Sequence, residues 1–365
     1  MNNICIFTGA RPNFIKVAPL IRAIHANPRC RYQLVYAGPA DDPTLEASLF
    51  SDLQIEPPTC CLGVDCQNLN ELTGLVMARF EHYLNEHPAD TVIVVDDLAS
   101  TMAAAIVAKK RGLRLAHLVA GTRSFDITMP KEINRLVIDA LSDLLFTAGI
   151  GASSIATREG ADTSKIYLVG NILMDNLRYN RDRWTRPACL DGIADGHYLV
   201  LTINRRALLA DQQKLLSLLT AILQTAGDVP VIAPLRSSAY ALVTTLGAVA
   251  AVNSSSPALY SSLRAVPSLG YLDFGYLMLH ARGVITDSGN VAEEATFNHV
   301  PCITLNSYTE HAETVHPGTN VLVGENPQRL STELRRLLDG QWKSSALPDR
   351  WDGRTAERIL QILVG

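Results

Sequence analysis

Residues 283–305 carry the side chains whose types and spacing best suggest chemistry in this sequence. The segment predicts a short strand, a tight Ser-Gly-Asn turn at residues 288–290, a helix from about residue 291 and a second apolar strand. Small residues at such a turn let backbone N–H groups and a helix N-terminus approach a phosphate, where the helix dipole favours negative charge. Glu293 and Glu294 follow in the predicted first helical turn, where a carboxylate can accept hydrogen bonds from a ribose diol. An ordinary βαβ unit shows the same pattern, so the segment alone leaves both interpretations open.

The composition of the whole chain favours small-molecule chemistry. With 365 residues, 47% of them hydrophobic, the chain can bury a large core, and its length favours two domains. The net charge of −4 gives no basic footprint, so we expect no nucleic-acid partner. The N-terminus enters an apolar strand directly, without a basic region before an apolar stretch, and no long uncharged apolar window follows. We therefore expect a cytoplasmic protein without a membrane partner.

The seven cysteines do not form a disulfide framework or an obvious metal motif. Cys60, Cys61 and Cys66 are close in sequence, but no second cluster matches them. We interpret the cysteines as reduced thiols and expect no metal or cofactor. A zinc site at this cluster is the alternative.

Strand-like and helical segments alternate along the chain, as in a parallel sheet covered on both faces. In the first half we predict strands at 4–8, 32–37, 91–95, 114–119, 144–147 and 166–169, and helices at 14–26, 71–86, 101–110 and 134–142. After a polar, irregular stretch at 178–196 we predict strands at 198–202, 229–233 and 268–271, and helices at 211–225, 276–282, 327–338 and 354–364. Asn326 is the predicted N-cap of the helix at 327–338, with proline at its first position. The expected fold class is α/β, with two Rossmann-like halves and ligands in a cleft at the strand C-termini.

Three further motifs accompany the segment at 283–305. They are Gly-Ala-Arg-Pro-Asn-Phe-Ile-Lys at 9–16, His-Leu-Val-Ala-Gly-Thr-Arg-Ser-Phe-Asp at 117–126 with Met-Pro-Lys-Glu-Ile-Asn-Arg at 129–135, and Gly-Asn at 170–171 with Asp175. Together with Thr-Asp-Ser-Gly at 286–289, they resemble the non-hydrolysing UDP-N-acetylglucosamine 2-epimerase family and its hydrolysing relatives. Order and spacing hold from the first strand to the last helix, so the resemblance covers nearly the whole chain.

The resemblance implies a glycosyltransferase-B-like fold, with an N-terminal domain at 1–175, a C-terminal domain at 176–365 and a last helix that packs back on the first domain. It implies a homodimer and a nucleotide sugar or nucleotide diphosphate as ligand, with UDP held mainly by the second domain. Ser288 and Gly289 would donate to the diphosphate, Glu294 would accept from the ribose, and Arg11 would reach the phosphates from the other domain. The remaining residues that the resemblance places at the nucleotide are Lys16, Asn204, Arg205 and Asn290. Asn290 stands where the family has glycine, and Asn tolerates a left-handed backbone better than most side chains.

Three positions depart from the family where its chemistry takes place. The epimerases break the anomeric C–O bond and remove the proton at C2, which needs acid and base groups. Val119 and Lys131 stand where the family has glutamates, and Asn204 stands where it has a histidine. Asp97 is retained, and His311 replaces an arginine of the family motif.

These departures lead to a main hypothesis and two alternatives. The main hypothesis is an enzyme that keeps a nucleotide-sugar substrate but performs glycosyl transfer or hydrolytic release of the nucleotide diphosphate, with Asp97 or His311 as base. The first alternative is a 2-epimerase that uses substitute residues, with Asp97 and Glu132 as the first candidates. The second alternative is a non-catalytic binder of nucleotide sugars.

Overall fold

The computed structural model describes residues 2–253 and 262–365, which divide into two compact units. The first unit runs through Tyr179 and takes in Asp349–Gly365 at the end of the chain, and the second unit is Asn180–Pro348. Helices and strands are numbered in chain order. Among the described residues, no helix combines the length and apolar character needed to cross a membrane.

The first unit is built on a seven-stranded parallel sheet with the strand order β3-β2-β1-β4-β5-β6-β7. Its strands are β1 (Asn2–Thr8), β2 (Cys30–Tyr36), β3 (Cys60–Cys61), β4 (Thr91–Val95), β5 (Arg114–Ala120), β6 (Leu144–Thr147) and β7 (Ile166–Leu168). Its helices are α1 (Arg11–His25), α2 (Leu49–Leu53), α3 (Leu69–Glu86), α4 (Ala99–Lys110), α5 (Pro130–Leu141), α6 (Ile150–Arg158), α7 (Leu173–Tyr179) and α15 (Thr355–Val364).

The second unit is built on a six-stranded parallel sheet with the order β10-β9-β8-β11-β12-β13. Its strands are β8 (Leu199–Thr202), β9 (Val231–Leu235), β10 (Leu263–Pro267), β11 (Gly283–Thr286), β12 (Cys302–Thr304) and β13 (Asn320–Leu322). Its helices are α8 (Arg206–Ala210), α9 (Gln212–Ala226), α10 (Ser237–Asn253), α11 (Tyr271–Leu279), α12 (Gly289–Phe297), α13 (Ala312–Val315) and α14 (Pro327–Leu338).

The strands at the centre of each sheet are buried on both faces. Every residue of β4, Thr-Val-Ile-Val-Val, is buried, as is every residue of β8 and β11. Runs of this kind, rich in valine, isoleucine and leucine, are typical of parallel sheets that helices cover on both sides. The α/β fold class with two parallel sheets is therefore confirmed.

The last helix belongs to the first unit. Helix α15 contacts α1 and α7, and the Asp175 carboxylate accepts hydrogen bonds from Thr355 N at 3.1 Å and Ala356 N at 2.8 Å. The carboxylate thus caps N–H groups that have no acceptor within the helix. These contacts tie a segment far along the chain to the first turn of α7.

Sequence patterns predicted the long elements of both units but missed several short ones. Strands β4 and β6 and helix α14 have the predicted bounds, and the Asn326 side chain accepts from Arg329 N at 2.9 Å as the predicted N-cap. The predicted strand at 268–271 is wrong, because β10 ends at Pro267 and Tyr271 begins α11. The elements that were not predicted are helices α2, α6, α7, α8, α10 and α13 and strands β3 and β13. Helix α10 is apolar around most of its circumference, so it lacks the amphipathic period by which helices are recognised.

In both sheets the strand order reverses at the first strand of the unit. β1 lies between β2 and β4, and β8 lies between β9 and β11, so successive crossovers leave on opposite sides at these two points. Ligands of open parallel sheets bind at the carboxyl ends of strands where this reversal occurs. The loops after β1, β4, β8 and β11 are therefore the candidate ligand loops of this chain.

Candidate functional site

The loop after β4 carries two adjacent carboxylates, Asp96 and Asp97. It lies where the strand order of the first unit reverses, which we call the switch point of that unit. Asp96 has a left-handed backbone with φ of 59°, and its side chain turns toward α1. Its carboxylate contacts Lys16 Nζ at 2.5 Å and accepts from Asn13 Nδ2 at 2.8 Å. Lys16, a predicted nucleotide ligand, is buried in this structure and forms an ion pair within its own unit.

Asp97, the predicted catalytic carboxylate, is oriented by α5. Arg135 donates to its Oδ2 from Nε at 2.8 Å and from Nη2 at 2.5 Å, while Asn134 Nδ2 donates to its backbone oxygen at 2.8 Å. Lys131 Nζ lies 3.8 Å from Oδ1, and the lysine side chain is 64% exposed. Lys131, for which the sequence motif predicts loss of a family glutamate, thus brings a cation to the predicted catalytic carboxylate Asp97.

Glu132, the second catalytic candidate, is buried and surrounded by donors. Its Oε2 accepts from Ser124 N and Ser124 Oγ, both at 3.0 Å, and from Arg135 Nη1 at 3.1 Å, and its Oε1 accepts from Phe125 N at 2.9 Å. Burial opposes ionisation, but these hydrogen bonds outweigh it and lower the pKa of Glu132. A buried carboxylate with four donors is a weak base, so the geometry favours a role in holding the loop at residues 124–125.

Val119 adopts an unusual backbone conformation for its residue type. Its φ is 73°, at the point where the pairing of β5 with β6 shifts register, and a β-branched residue in this region is strained. Its apolar side chain cannot transfer a proton.

His117, two residues before Val119, links α5 to the loop after β4. Its Nδ1 lies 2.5 Å from Asp139 Oδ1, and its Nε2 lies 3.0 Å from the backbone oxygen of Asp96. The sequence motif contained His117, but it gave no indication of this link between α5 and the β4 loop.

Arg11, the predicted phosphate ligand of the first unit, is paired with a carboxylate. Its Nε donates to Glu46 Oε2 at 2.6 Å, and its Nη2 contacts Glu46 Oε1. This bidentate geometry is the one that a guanidinium uses for phosphate, so Glu46 occupies the guanidinium edge that a phosphate would need. Glu46 lies in the loop after β2, and nothing in its local sequence marked it as a partner of Arg11.

In the second unit, Asp287 joins the two loops at the switch point. Its carboxylate accepts from Asn204 N at 2.8 Å and from Arg205 N at 2.8 Å. Burial raises the pKa of Asp287 despite these hydrogen bonds. Thr202 and Thr286, which end the adjacent strands β8 and β11, share a hydrogen bond of 2.6 Å between their hydroxyls. The predicted ligand residues Asn204 and Arg205 are thus held beside the β11 turn.

The turn after β11 differs from the prediction in two details. Helix α12 begins at Gly289, with Ser288 as N-cap, so Asn290 is already helical and does not need a left-handed backbone. Glu293 and Glu294 consequently lie beyond the first turn, and both are buried. The prediction that Glu293 and Glu294 lie in the first helical turn was therefore wrong, because the glycine enters the helix instead of preceding it.

His311 lies against the N-terminus of α12. Its Nδ1 is 3.1 Å from Glu293 Oε1, and a Cβ placed on Gly289 would be 3.3 Å from His311 Cδ2. The structure therefore brings His311 to the predicted phosphate turn. Arg205 lies on the loop after β8, beside the same turn. Its Nη1 is 2.7 Å from Asn306 Oδ1 and 3.3 Å from Glu325 Oε1.

The zinc alternative finds no support in the described part of the chain. All seven cysteines are free, and residues 2–253 and 262–365 contain no group of three or more His, Cys, Asp or Glu side chains arranged to hold a metal ion. Burial raises the pKa of the Cys60 and Cys61 thiols, which disfavours the thiolates that zinc requires.

Each unit has a parallel sheet whose strand order reverses once. At this point the first unit carries the carboxylates Asp96 and Asp97, and the second unit carries the small-residue turn at 288–290. These features define a two-unit α/β enzyme of the glycosyltransferase-B-like class. The family model for UDP-N-acetylglucosamine 2-epimerase matches residues 22–364, and the chain belongs to this family. It is 30% identical to the UDP-N-acetylglucosamine 2-epimerase of Methanocaldococcus jannaschii, over 98% of each chain. It is 32% identical to the UDP-2,3-diacetamido-2,3-dideoxy-D-glucuronate 2-epimerase of Pseudomonas aeruginosa, over 97% of each chain.

A solved structure agrees with the whole fold. The crystal structure of the M. jannaschii enzyme in complex with UDP-GlcNAc and UDP matches with a TM-score of 0.84 and 28% identity, and 99% of each chain is covered. The chain is thus an enzyme of the nucleotide-sugar 2-epimerase family. These relatives favour the 2-epimerase alternative over the main hypothesis of glycosyl transfer or hydrolysis.

Proposed function

We propose that this chain is a 2-epimerase of UDP-N-acetylglucosamine or of a related UDP-activated 2-acetamido sugar, and that it uses substitute groups for proton transfer. The observation that carries the proposal is the placement of Asp97 at the switch point of the first unit, oriented by Arg135 and faced by Lys131. The relatives that match the full length of the chain are named for this reaction on sugars of this class.

The nucleotide part of the proposal rests on the second unit. Gly289 opens α12 with a backbone N–H group that can donate to a diphosphate, and Arg205 lies on the neighbouring loop. The Ser288 N–H donates to Thr286 Oγ1 at 3.0 Å, so Ser288 offers its hydroxyl instead of its amide. Asn290 follows Gly289 in the same helical turn. Glu294 accepts from the ribose hydroxyls in this proposal. The M. jannaschii relative was crystallised with UDP-GlcNAc and UDP, which supports a ligand of this chemistry.

In the chemical part of the proposal, Asp97 removes the proton at C2 of the sugar and Lys131 returns one. Arg135 holds one carboxylate oxygen of Asp97, and Oδ1 faces the ammonium of Lys131. Asp97 takes the C2 proton as base, the electrons of that C–H bond form a C1–C2 double bond, and the anomeric C–O bond breaks so that the nucleotide diphosphate leaves with its electron pair. Lys131 then donates a proton to the opposite face of C2 while the diphosphate oxygen attacks C1, which consumes the double bond and re-forms the anomeric C–O bond. Glu132 holds the adjacent loop, and Arg11 and Lys16 bind phosphate only if they leave Glu46 and Asp96.

The test is exchange at C2. UDP-N-acetylglucosamine, and separately the diacetamido-glucuronate sugar nucleotide, is incubated with the protein in deuterium oxide and followed by proton NMR. We expect deuterium at C2 together with the epimer, and a loss of roughly 10²–10⁴ in rate for Asp97→Asn. Lys131→Met should reduce exchange with little change in KM, because Lys131 acts in the chemical step.

A second candidate function has its own observation. Val119 presents an apolar side chain in a strained left-handed conformation where the family has a glutamate. An enzyme without proton transfer at C2 would release the nucleotide diphosphate by hydrolysis or glycosyl transfer. In the same experiment this function gives free UDP, no epimer and an unlabelled C2. That result would refute the 2-epimerase proposal, and a gain of exchange in Val119→Glu would then show which group is missing.

A further inference from the structure

Glu293 and His311 form a carboxylate–imidazole pair beside the first turn of α12. Glu293 is four residues after Gly289, so both lie on the same face of the helix, and a helical side chain points back toward the N-terminus. The Glu293 carboxylate meets His311 Nδ1 at 3.1 Å. The glutamate is 2% exposed, and its charge is therefore little screened by water.

The other edge of the imidazole faces the start of the helix. A Cβ placed on Gly289 would lie 3.3 Å from His311 Cδ2 and 3.7 Å from His311 Nε2. Because a carboxylate only accepts hydrogen bonds, Glu293 places a proton on Nδ1. Nε2 then faces the α12 turn, as an acceptor in the neutral ring and as a donor in the imidazolium.

We propose that Glu293 positions His311 so that its Nε2 donates to the nucleotide diphosphate, which makes nucleotide-sugar affinity depend on the protonation of this histidine. The inference rests on the nucleotide site of the proposed function. A helix N-terminus favours anions, and a diphosphate bound there attracts the imidazolium form of a neighbouring histidine. By linkage, protonation and diphosphate binding strengthen each other.

Four carboxylates near His311 also change charge with pH. Glu293 faces the ring from α12, and the Asp287 carboxylate points to the amides of Asn204 and Arg205. Glu310 and Glu313 flank His311 in the sequence. Burial raises the pKa of Asp287. His311→Gln keeps all four carboxylates, so a pH dependence that they cause persists in that variant.

The experiment measures the affinity of the full chain for UDP-N-acetylglucosamine by calorimetry between about pH 5.5 and 8.5 at constant ionic strength. The diphosphate of a nucleotide sugar is a diester that stays fully ionised in this range, so the ligand adds no titration of its own. We expect the affinity of the wild type to rise by about tenfold or more as the pH falls, the effect of one hydrogen bond to a charged group.

Three variants separate positioning from general structure. His311→Arg should bind at all pH values about as tightly as the wild type at low pH, and His311→Gln should bind weakly and without pH dependence. Glu293→Gln keeps an acceptor for Nδ1 but removes the charge that favours the imidazolium, so its rise in affinity should begin at lower pH. His82→Gln is the matched control, because His82 pairs with Glu86 at 3.6 Å on the exposed face of α3.

The outcomes are distinguishable. If His311→Gln keeps the pH dependence of the wild type while binding is measurable, the inference is overturned and the nucleotide site stands. If neither the wild type nor any variant binds the nucleotide sugar at any pH, the proposed function fails and the inference falls with it. Loss of pH dependence in His311→Gln, retention in His82→Gln and high flat affinity in His311→Arg establish the inference.

Discussion

Glu132 should prove to be an anchor of the first unit, and its replacement should be costly to stability. The carboxylate accepts from two backbone amides, one hydroxyl and Arg135 at 2.9–3.1 Å, and the side chain is 3% exposed. Glu132→Ala leaves the amides of Ser124 and Phe125 and part of the Arg135 guanidinium without their acceptor. Removing one partner of a buried charged pair costs about 3–5 kcal/mol.

Glu132→Gln should destabilise the protein less than Glu132→Ala does. One amide oxygen still accepts, but the NH2 group faces an N–H donor, so we expect a loss of about 2 kcal/mol. The hydrogen bonds of Glu132 lower its pKa in the folded protein. The stability advantage of the wild type over Glu132→Gln is therefore fully present above about pH 4.3, the pKa of a glutamate in the unfolded chain. This advantage shrinks as the pH falls through the lower folded value.

The assay is urea unfolding followed by the fluorescence of Trp351, which is buried in the first unit. Replacing Trp184 and Trp342, the tryptophans of the second unit, by phenylalanine leaves Trp351 as the reporter. The matched control is Glu81→Ala, which removes an exposed pair with Arg111 and should cost at most about 1 kcal/mol. If Glu132→Ala costs no more than this control, the anchor role is refuted. If Glu132→Gln abolishes C2 exchange at unchanged stability, Glu132 is the base instead.

Three further predictions follow from other contacts. Glu294→Ala should weaken UDP binding at least about tenfold in calorimetry, since it removes charge-assisted hydrogen bonds to the ribose, and unchanged affinity would remove Glu294 from the site. Glu46→Gln should tighten UDP binding by releasing Arg11, and a weaker or equal affinity would mean that Arg11 is not a phosphate ligand. Gly121→Ala should destabilise the first unit far more than Gly112→Ala. Both glycines have a left-handed φ, of 75° and 72°. A Cβ on Gly121 would lie 2.3 Å from Ala152 O, whereas a Cβ on Gly112 would have nothing within 4 Å. Equal unfolding free energies in urea for the two variants would contradict this.

The sequence by itself determined the fold class and the places where ligand loops occur. The strand at 91–95 and the helix at 327–338 were predictable because continuous apolar runs and an Asn-Pro start are local signals. The motifs after the first strand of each unit were visible for the same reason. Their order along the chain also indicated the family, which the family model over residues 22–364 confirms. The loss of acid and base groups at Val119 and Asn204 stays a prediction.

The tertiary structure decided which charged side chains meet. Lys16 pairs with Asp96 across 80 positions of sequence, and Arg135 reaches Asp97 across 38. Such partners depend on which strand ends are adjacent in the sheet, and this order is set by long-range pairing that no local pattern records. Glu132 reads in sequence as a catalytic candidate and in the structure as the acceptor of four hydrogen bonds. Glu293 and His311 read as separate motif residues, and only the packing of the segment before α13 against α12 makes them a pair.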